Sequence, residues 1–139
     1  IYGTWCVLTA VSKLSPDPKW NDRISKAVSW LKSIQNKDGG FSESPDTYVQ
    51  KKYLPYPDSL GVPSQTAWAI LGLIAAGEAA SGEVKRGADF LINRLNDDGT
   101  WDEEEFTGTG FPGHFYIRYH GYRHFFPLLA LAHAKPSGI

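Results

Sequence analysis

Two kinds of hydrophobic pattern alternate along the chain. Ile24, Val28, Leu31 and Gln35 fall at i, i+4, i+7 and i+11, and Val84, Ala88, Leu91 and Leu95 repeat that spacing. The period marks one face of an α-helix whose other side carries lysine, arginine, aspartate and asparagine. Three further stretches, Trp5 to Leu14, Thr66 to Ala76 and Tyr122 to Ala134, are apolar nearly all round. A helix without a polar face requires burial on every side. The order is thus buried, amphipathic, buried, amphipathic, buried. It predicts an all-α chain of about five main helices alternating between an inner and an outer ring, an incomplete α/α toroid that forms part of an (α/α)6 barrel. The alternative architecture is an ordinary five-helix bundle.

Local signals agree with these elements. Ser81 is placed to cap the second amphipathic helix, with Glu83 in its first turn. Pro63 suits the first turn of the middle apolar helix, where a missing N–H costs nothing. Asp38-Gly39 and Asp98-Gly99 supply the positive-φ glycine that ends a helix.

These two dipeptides belong to a repeat with a 60-residue step. Trp30-Leu31, Gln35 and the run Asn36-Lys37-Asp38-Gly39-Gly40-Phe41 correspond to Phe90-Leu91, Leu95 and Asn96-Asp97-Asp98-Gly99-Thr100-Trp101. Each unit is a helix, a polar turn through Asp-Gly, and then an aromatic residue. Two segments give no helical pattern. Ser42 to Leu60 reads as a long loop, and Thr107 to His120 (TGTGFPGHFYIRYH) is dense in glycine and aromatics. Long irregular segments in a compact domain are usually functional or disordered, and the second is too aromatic for disorder.

Composition narrows the function. The 139 residues suit a single domain, 1–139, and a net charge of −1 leaves no basic footprint for nucleic acid. The one cysteine, Cys6, allows neither an internal disulfide nor a cysteine-rich zinc site. The longest apolar run, Ala67 to Gly77, is shorter than the roughly 20 residues a membrane span needs. The chain opens inside an apolar-aromatic stretch, Ile1-Tyr2-Gly3-Thr4-Trp5, which reads as a cut rather than a natural start. Aromatic residues make up 14% of the chain; they dominate cores but also line sites for cations and apolar ligands.

Several constellations invite chemistry and are set aside. The Asp-Gly turns lack the calcium-loop ligands, because Ile34 and Arg94 stand where the first ligand belongs. The acidic run Asp102 to Glu105 has the residues for a glycosidase carboxylate pair, but it reads as solvated surface with nothing to raise one carboxyl's pKa. His120 and His124 share an i, i+4 spacing without the glutamate or third ligand of a zinc site, so no metal is expected. Cys6, on an apolar helix expected to be buried, has no base beside it. What remains is Phe111, Phe115, Tyr119 and Tyr122, at intervals of four, four and three, which would line one surface of a helix or tight loop.

The sequence resembles the carboxy-terminal part of the squalene–hopene cyclases, bacterial triterpene cyclases. The matching stretches are Ile1-Tyr2-Gly3-Thr4-Trp5, Pro63-Ser64-Gln65-Thr66-Ala67-Trp68-Ala69 and Thr107 to Leu131. The repeat resembles that family's glutamine–tryptophan repeats through Trp30, Gln35, Gly39 and Phe41, through Gln65 and Trp68, and through Phe90, Gly99 and Trp101. It departs from them at Leu95, where glutamine belongs, and at Phe41, where tryptophan belongs.

The resemblance implies two α/α barrels in the parent, no cofactor, and squalene as substrate, cyclised through carbocations to pentacyclic hopene or hopanol. It implies that Phe111, Phe115, Tyr119 and Tyr122 line the cavity near the later rings, with Ile117 among them and Tyr2 near the proton donor. It also implies a monotopic parent on the cytoplasmic side of the membrane. The family's acidic Asp-x-Asp-Asp motif is absent here, so no catalytic acid and no activity are expected of this chain alone. Its partners would be the rest of the parent chain, or further copies of itself. The competing readings are a protein prenyltransferase β-like barrel, which would supply Asp, Cys and His ligands to zinc, and a non-catalytic helical interaction module.

Overall fold

A computed structural model describes residues 1–14 and 17–134. Six α-helices account for most of them: α1 (Tyr2–Val11), α2 (Pro18–Ser33), α3 (Asp46–Gln50), α4 (Pro63–Ala75), α5 (Gly82–Asn93) and α6 (Tyr122–Ala134). A 3-10 turn covers Pro57–Ser59, and an antiparallel hairpin pairs β1 (Gly108–Phe111) with β2 (Phe115–Ile117). The all-α expectation is corrected by this hairpin. The five main helices stand where the hydrophobic pattern puts them, and α3 is a short addition inside the segment read as loop.

The helix ends follow the local chemistry. Asp17 caps α2 by accepting from the Lys19 N–H at 3.0 Å, with Pro18 in the first turn. Ser81 caps α5 by accepting from the Val84 N–H at 3.4 Å, with Glu83 next to it. Gly39 and Gly99 have φ of +87° and +80°. They lie within the polar turns, several residues past the caps Ile34 and Arg94, and so shape the turns instead of ending the helices.

α4 is the centre. Every residue from Pro63 to Leu73 is buried, and the helix packs against α1, α5 and α6, with a lighter contact to α2. The amphipathic helices bury their apolar stripes, Val28 and Leu31 on α2 and Val84, Ala88 and Leu91 on α5, against this axis.

The other two apolar helices are not enclosed as expected. On α1 only Leu8 is buried, and Cys6 is exposed. On α6, Phe125 and Leu128 are 68% and 66% exposed. The reason is geometric: each of them packs chiefly on α4 and one amphipathic neighbour, with Trp5 of α1 meeting Phe126 of α6 at 5.3 Å.

The segment 42–60 is tied down by specific bonds. The Ser44 N–H donates to the Leu54 carbonyl at 2.8 Å, and the Tyr53 hydroxyl donates to the Ser42 carbonyl at 2.8 Å. The Tyr56 hydroxyl reaches the Phe106 carbonyl at 3.0 Å and joins this loop to the chain before the hairpin. Among the described residues no helix is long and apolar enough to cross a membrane.

Candidate functional site

The hairpin results from its glycines and one Pro-Gly step. Pro112-Gly113 sits between the strands, and Gly113 takes φ +74°, the left-handed conformation such a tight turn needs. This dipeptide, just ahead of the β-forming run Phe115-Tyr116-Ile117, is the signal that identifies a hairpin in the sequence. The strands carry Phe111 and Phe115 at the turn end, where their rings lie 6.2 Å apart, and they stay 63% and 53% exposed.

Past the strands the chain turns into α6, and Tyr119 stacks on Tyr122 with ring centroids 4.9 Å apart. The four aromatics thus form two pairs, not a single row. The i, i+4 spacing implied one surface, but β geometry from Gly108 to Ile117 breaks the helical phase.

The second pair lies at a cleft of about 240 Å3. Tyr2, Trp68, Ile117, Tyr119 and Tyr122 line it, with Tyr48 of α3, Thr107 just before β1 and Gly108 at its start. Of the residues named through the resemblance, Ile117, Tyr119 and Tyr122 line this cleft, and Tyr2, expected near the proton donor instead, lines it with them. Trp68, read as a repeat residue, and Tyr48 and Thr107, not singled out at all, join them because α4, α3 and β1 converge on the amino-terminal ends of α1 and α6. Phe111 and Phe115 lie outside this set of lining residues.

The cleft is aromatic and uncharged. Its lining residues, among those described, carry no carboxylate and no basic side chain. Tyr2 lies one turn before Cys6, whose thiol raises the phenol above its ordinary value, so Tyr2 is neutral at neutral pH. Such a lining offers ring faces and hydroxyls but no base.

The remaining repeat residues fix the framework. The Gln35 amide donates to the carbonyls of Gly39 and Glu83, at 2.8 and 2.9 Å, and its oxygen accepts from the Arg86 guanidinium at 2.7 Å. Trp30 meets Tyr53 edge to face at 5.9 Å. Phe41, Phe90 and Trp101 are buried, and the Trp101 indole donates to the Leu91 carbonyl at 2.8 Å. Gln65 holds the backbone of Glu43 from both sides, accepting from its N–H at 2.5 Å and donating to its carbonyl at 3.2 Å.

The acidic run is not all solvated surface. Glu103 is buried, with both carboxylate oxygens accepting from Ser64, one from its N–H and one from its hydroxyl, each at 2.8 Å. It caps the first turn of α4. Burial pushes its carboxyl above the usual range, against the pull of the Ser64 bonds. His124 accepts from the Arg123 guanidinium at 3.1 Å, as a packed histidine does. A cavity of about 700 Å3 lies beside the 35–38 turn and the 53–60 loop and is lined by none of the expected cavity residues.

Comparison with known proteins matches residues 1–136 to the family described as the squalene-hopene cyclase C-terminal domain. A probable squalene–hopene cyclase of Sinorhizobium fredii is 50% identical over 132 residues, 95% of this chain and 20% of that protein. The squalene–hopene cyclase of Bradyrhizobium diazoefficiens is 50% identical over 135 residues, again 95% and 20%. Dammaradiene synthase of Dryopteris crassirhizoma is 37% identical over 145 residues, 95% and 21%. The chain therefore spans about a fifth of the length of these relatives.

Proposed function

We propose, from the premise that the chain belongs to the family of squalene–hopene cyclase C-terminal domains, that a longer protein carrying it cyclises squalene to pentacyclic triterpenes. In that protein the five main helices are a sector of an α/α toroid, α4 an inner helix with α2 and α5 outside it. The chain supplies part of the cavity wall. The observation that carries this reading is the uncharged aromatic cleft formed by Tyr2, Ile117, Tyr119 and Tyr122.

The chemistry suits such a lining. A carbocation beside a base loses a proton and the cascade stops. A ring face attracts the cation without removing a proton, at about 0.5 to 2 kcal/mol or more when water is excluded. Several rings fixed beforehand stabilise charge at successive positions and hold the substrate in the conformation that cyclises. At about 240 Å3 the cleft is below the roughly 300 Å3 at which small-molecule sites begin. A thirty-carbon substrate needs walls from elsewhere, and Phe111 and Phe115 stay 63% and 53% exposed in this chain.

The acid that starts the reaction also lies elsewhere, because no Asp-x-Asp-Asp motif occurs in these residues. The purified chain is therefore expected to convert no squalene, and its bare α6 face, with Phe125 and Leu128, favours self-association. The longer protein is expected to work at a membrane face, as an apolar substrate requires.

The test is mass spectrometry of squalene incubated with the longer protein, as wild type and with Phe111→Ala or Phe115→Ala. Pentacyclic product from wild type and prematurely terminated, fewer-ringed products from the variants are expected. No turnover by wild type would reject the reading, and unchanged product spectra in both variants would leave those rings without a role in the cascade.

A further inference from the structure

We propose that Trp68 is a positioning residue. Its indole sets the orientation of the Tyr2 and Tyr122 rings that face the cleft, and through them the partition among cyclised products. The second part rests on the cyclase reading above; the first does not.

Trp68 sits near the middle of α4 and is 1% exposed, yet it is one of the residues lining the cleft. Its ring is the meeting point of three helices. It touches Tyr2, the first residue of α1, edge to face at 4.9 Å, and Tyr122, the first residue of α6, edge to face at 6.0 Å. It lies nearly parallel to Trp5 at 6.3 Å and meets Phe126 at 5.5 Å. Both tyrosines stand at helix starts, where the backbone gives the least support. Tyr2 is also about half exposed, so the rings behind it carry its orientation.

The indole N–H gives a second, independent indication. Trp68 Nε1 is buried and finds no hydrogen-bond partner among the described residues. Trp101, equally buried, donates its N–H to a carbonyl. An unpaired buried donor is costly, and phenylalanine or leucine would occupy an apolar helix without that cost. A tryptophan kept under these conditions is kept for the area and shape of its ring system. Here that surface backs both Tyr2 and Tyr122, alongside Trp5 at 5.5 Å from Tyr2 and Phe126 at 4.9 Å from Tyr122.

Orientation matters because an aromatic ring is negative on its face and positive at its edge. A ring that presents its face stabilises a cation, and the same ring turned edge-on repels it. Losing the support behind two rings therefore changes where charge is stabilised along the cascade. Total turnover is less sensitive, since Trp68 supplies no proton.

The test uses the longer protein with squalene and compares wild type, Trp68→Phe, Trp68→Leu and Leu31→Ala. Leu31 is fully buried on α2, is not among the residues lining the cleft, and serves as a destabilising control. Fluorotyrosine placed at positions 2 and 122 reports ring environment by fluorine NMR.

In Trp68→Leu the share of fewer-ringed products is expected to rise between about threefold and about tenfold, the worth of one or two lost ring contacts, with both fluorine resonances displaced. Trp68→Phe is expected to fall between the two, and Leu31→Ala to keep the wild-type ratio and resonances despite lower stability. Trp68→Leu with wild-type resonances and product ratio would overturn the proposal, as would equal changes in Leu31→Ala. If wild type fails to turn over squalene, the cyclase reading falls, while unshifted fluorine resonances in Trp68→Leu would still overturn the packing of the two tyrosines on the indole.

Discussion

The turns at 35–41 and 95–101 have the same internal wiring and different surroundings. In both, the asparagine N–H donates to a carbonyl four residues on, at 2.9 Å, from Asn36 to Gly40 and from Asn96 to Thr100. The glycine N–H returns to the asparagine carbonyl, at 3.0 Å in the first and 2.9 Å in the second. The aspartate side chain accepts from the N–H two residues on, at 3.0 Å in each. Both close on a buried aromatic, Phe41 or Trp101.

Docking separates them. Asp38 also accepts from the Gly61 N–H at 2.9 Å, and Gln35 bridges to α5 through Glu83 and Arg86. At the second turn Leu95 replaces glutamine and is 44% exposed. The Asn-x-Asp-Gly sequence thus builds the turn by itself, while attachment to the next helix needs the glutamine and a helix to receive it.

The largest effect that would break the comparison comes from the paired glycines. Both have positive φ, so alanine at either position is strained by about 1 kcal/mol. Around Gly99 there is open space, but a Cβ at Gly39 would lie 2.6 Å from the Arg86 carbonyl oxygen on α5. Pushing α5 away adds about 2 kcal/mol, as overpacking does. Gly39→Ala is therefore expected to cost about 3 kcal/mol in urea unfolding and Gly99→Ala about 1 kcal/mol. Equal losses would show that the first turn is no more tightly docked than the second.

Exchanging the residues that differ gives a smaller effect. Gln35→Leu removes donors to two carbonyls and an acceptor from Arg86, all at a partly exposed site, and is expected to cost about 1 to 2 kcal/mol. Leu95→Gln gains no partner and is expected to lie within about 0.5 kcal/mol of wild type. A loss at position 95 as large as that at position 35 would mean that the helix end, and not the bridge to α5, decides stability.

This contrast also marks how far the sequence can be read. The 60-residue step, the five main helices and the positive-φ glycines are legible because each depends on spacing within one segment. The cleft is half legible. Tyr119 and Tyr122 are close in sequence, and Tyr2 and Ile117 enter through the family resemblance, but Trp68 and Tyr48 reach the cleft only through packing of α4 and α3. The hairpin is less legible, because a glycine-dense stretch gives no strand alternation and only Pro112-Gly113 marks the turn. The bare faces of α1 and α6 escaped because an all-apolar pattern states a need for neighbours and cannot say whether they are present in the same chain.

The smallest effect sharpens the comparison one step beyond the turns, at their 60-residue mates Glu43 and Glu103. Glu43 has its backbone held by Gln65 on α4, and Glu103 accepts from Ser64 at the start of α4. Only Glu103 is buried. Burial raises its carboxyl above the ordinary 4.5, so the folded chain holds this proton more tightly than the unfolded one. The resulting stabilisation is complete below that ordinary value and is lost as pH climbs through the raised one. Glu103→Gln removes the titration while keeping an oxygen for the Ser64 N–H. Measured by urea unfolding from about pH 4 to about pH 7, wild type is expected to lose stability relative to Glu103→Gln as pH rises. A difference that stays constant with pH would mean that the Ser64 bonds offset burial fully. A difference that grows in favour of wild type would mean they outweigh it, and the α4 cap would then stabilise most when charged.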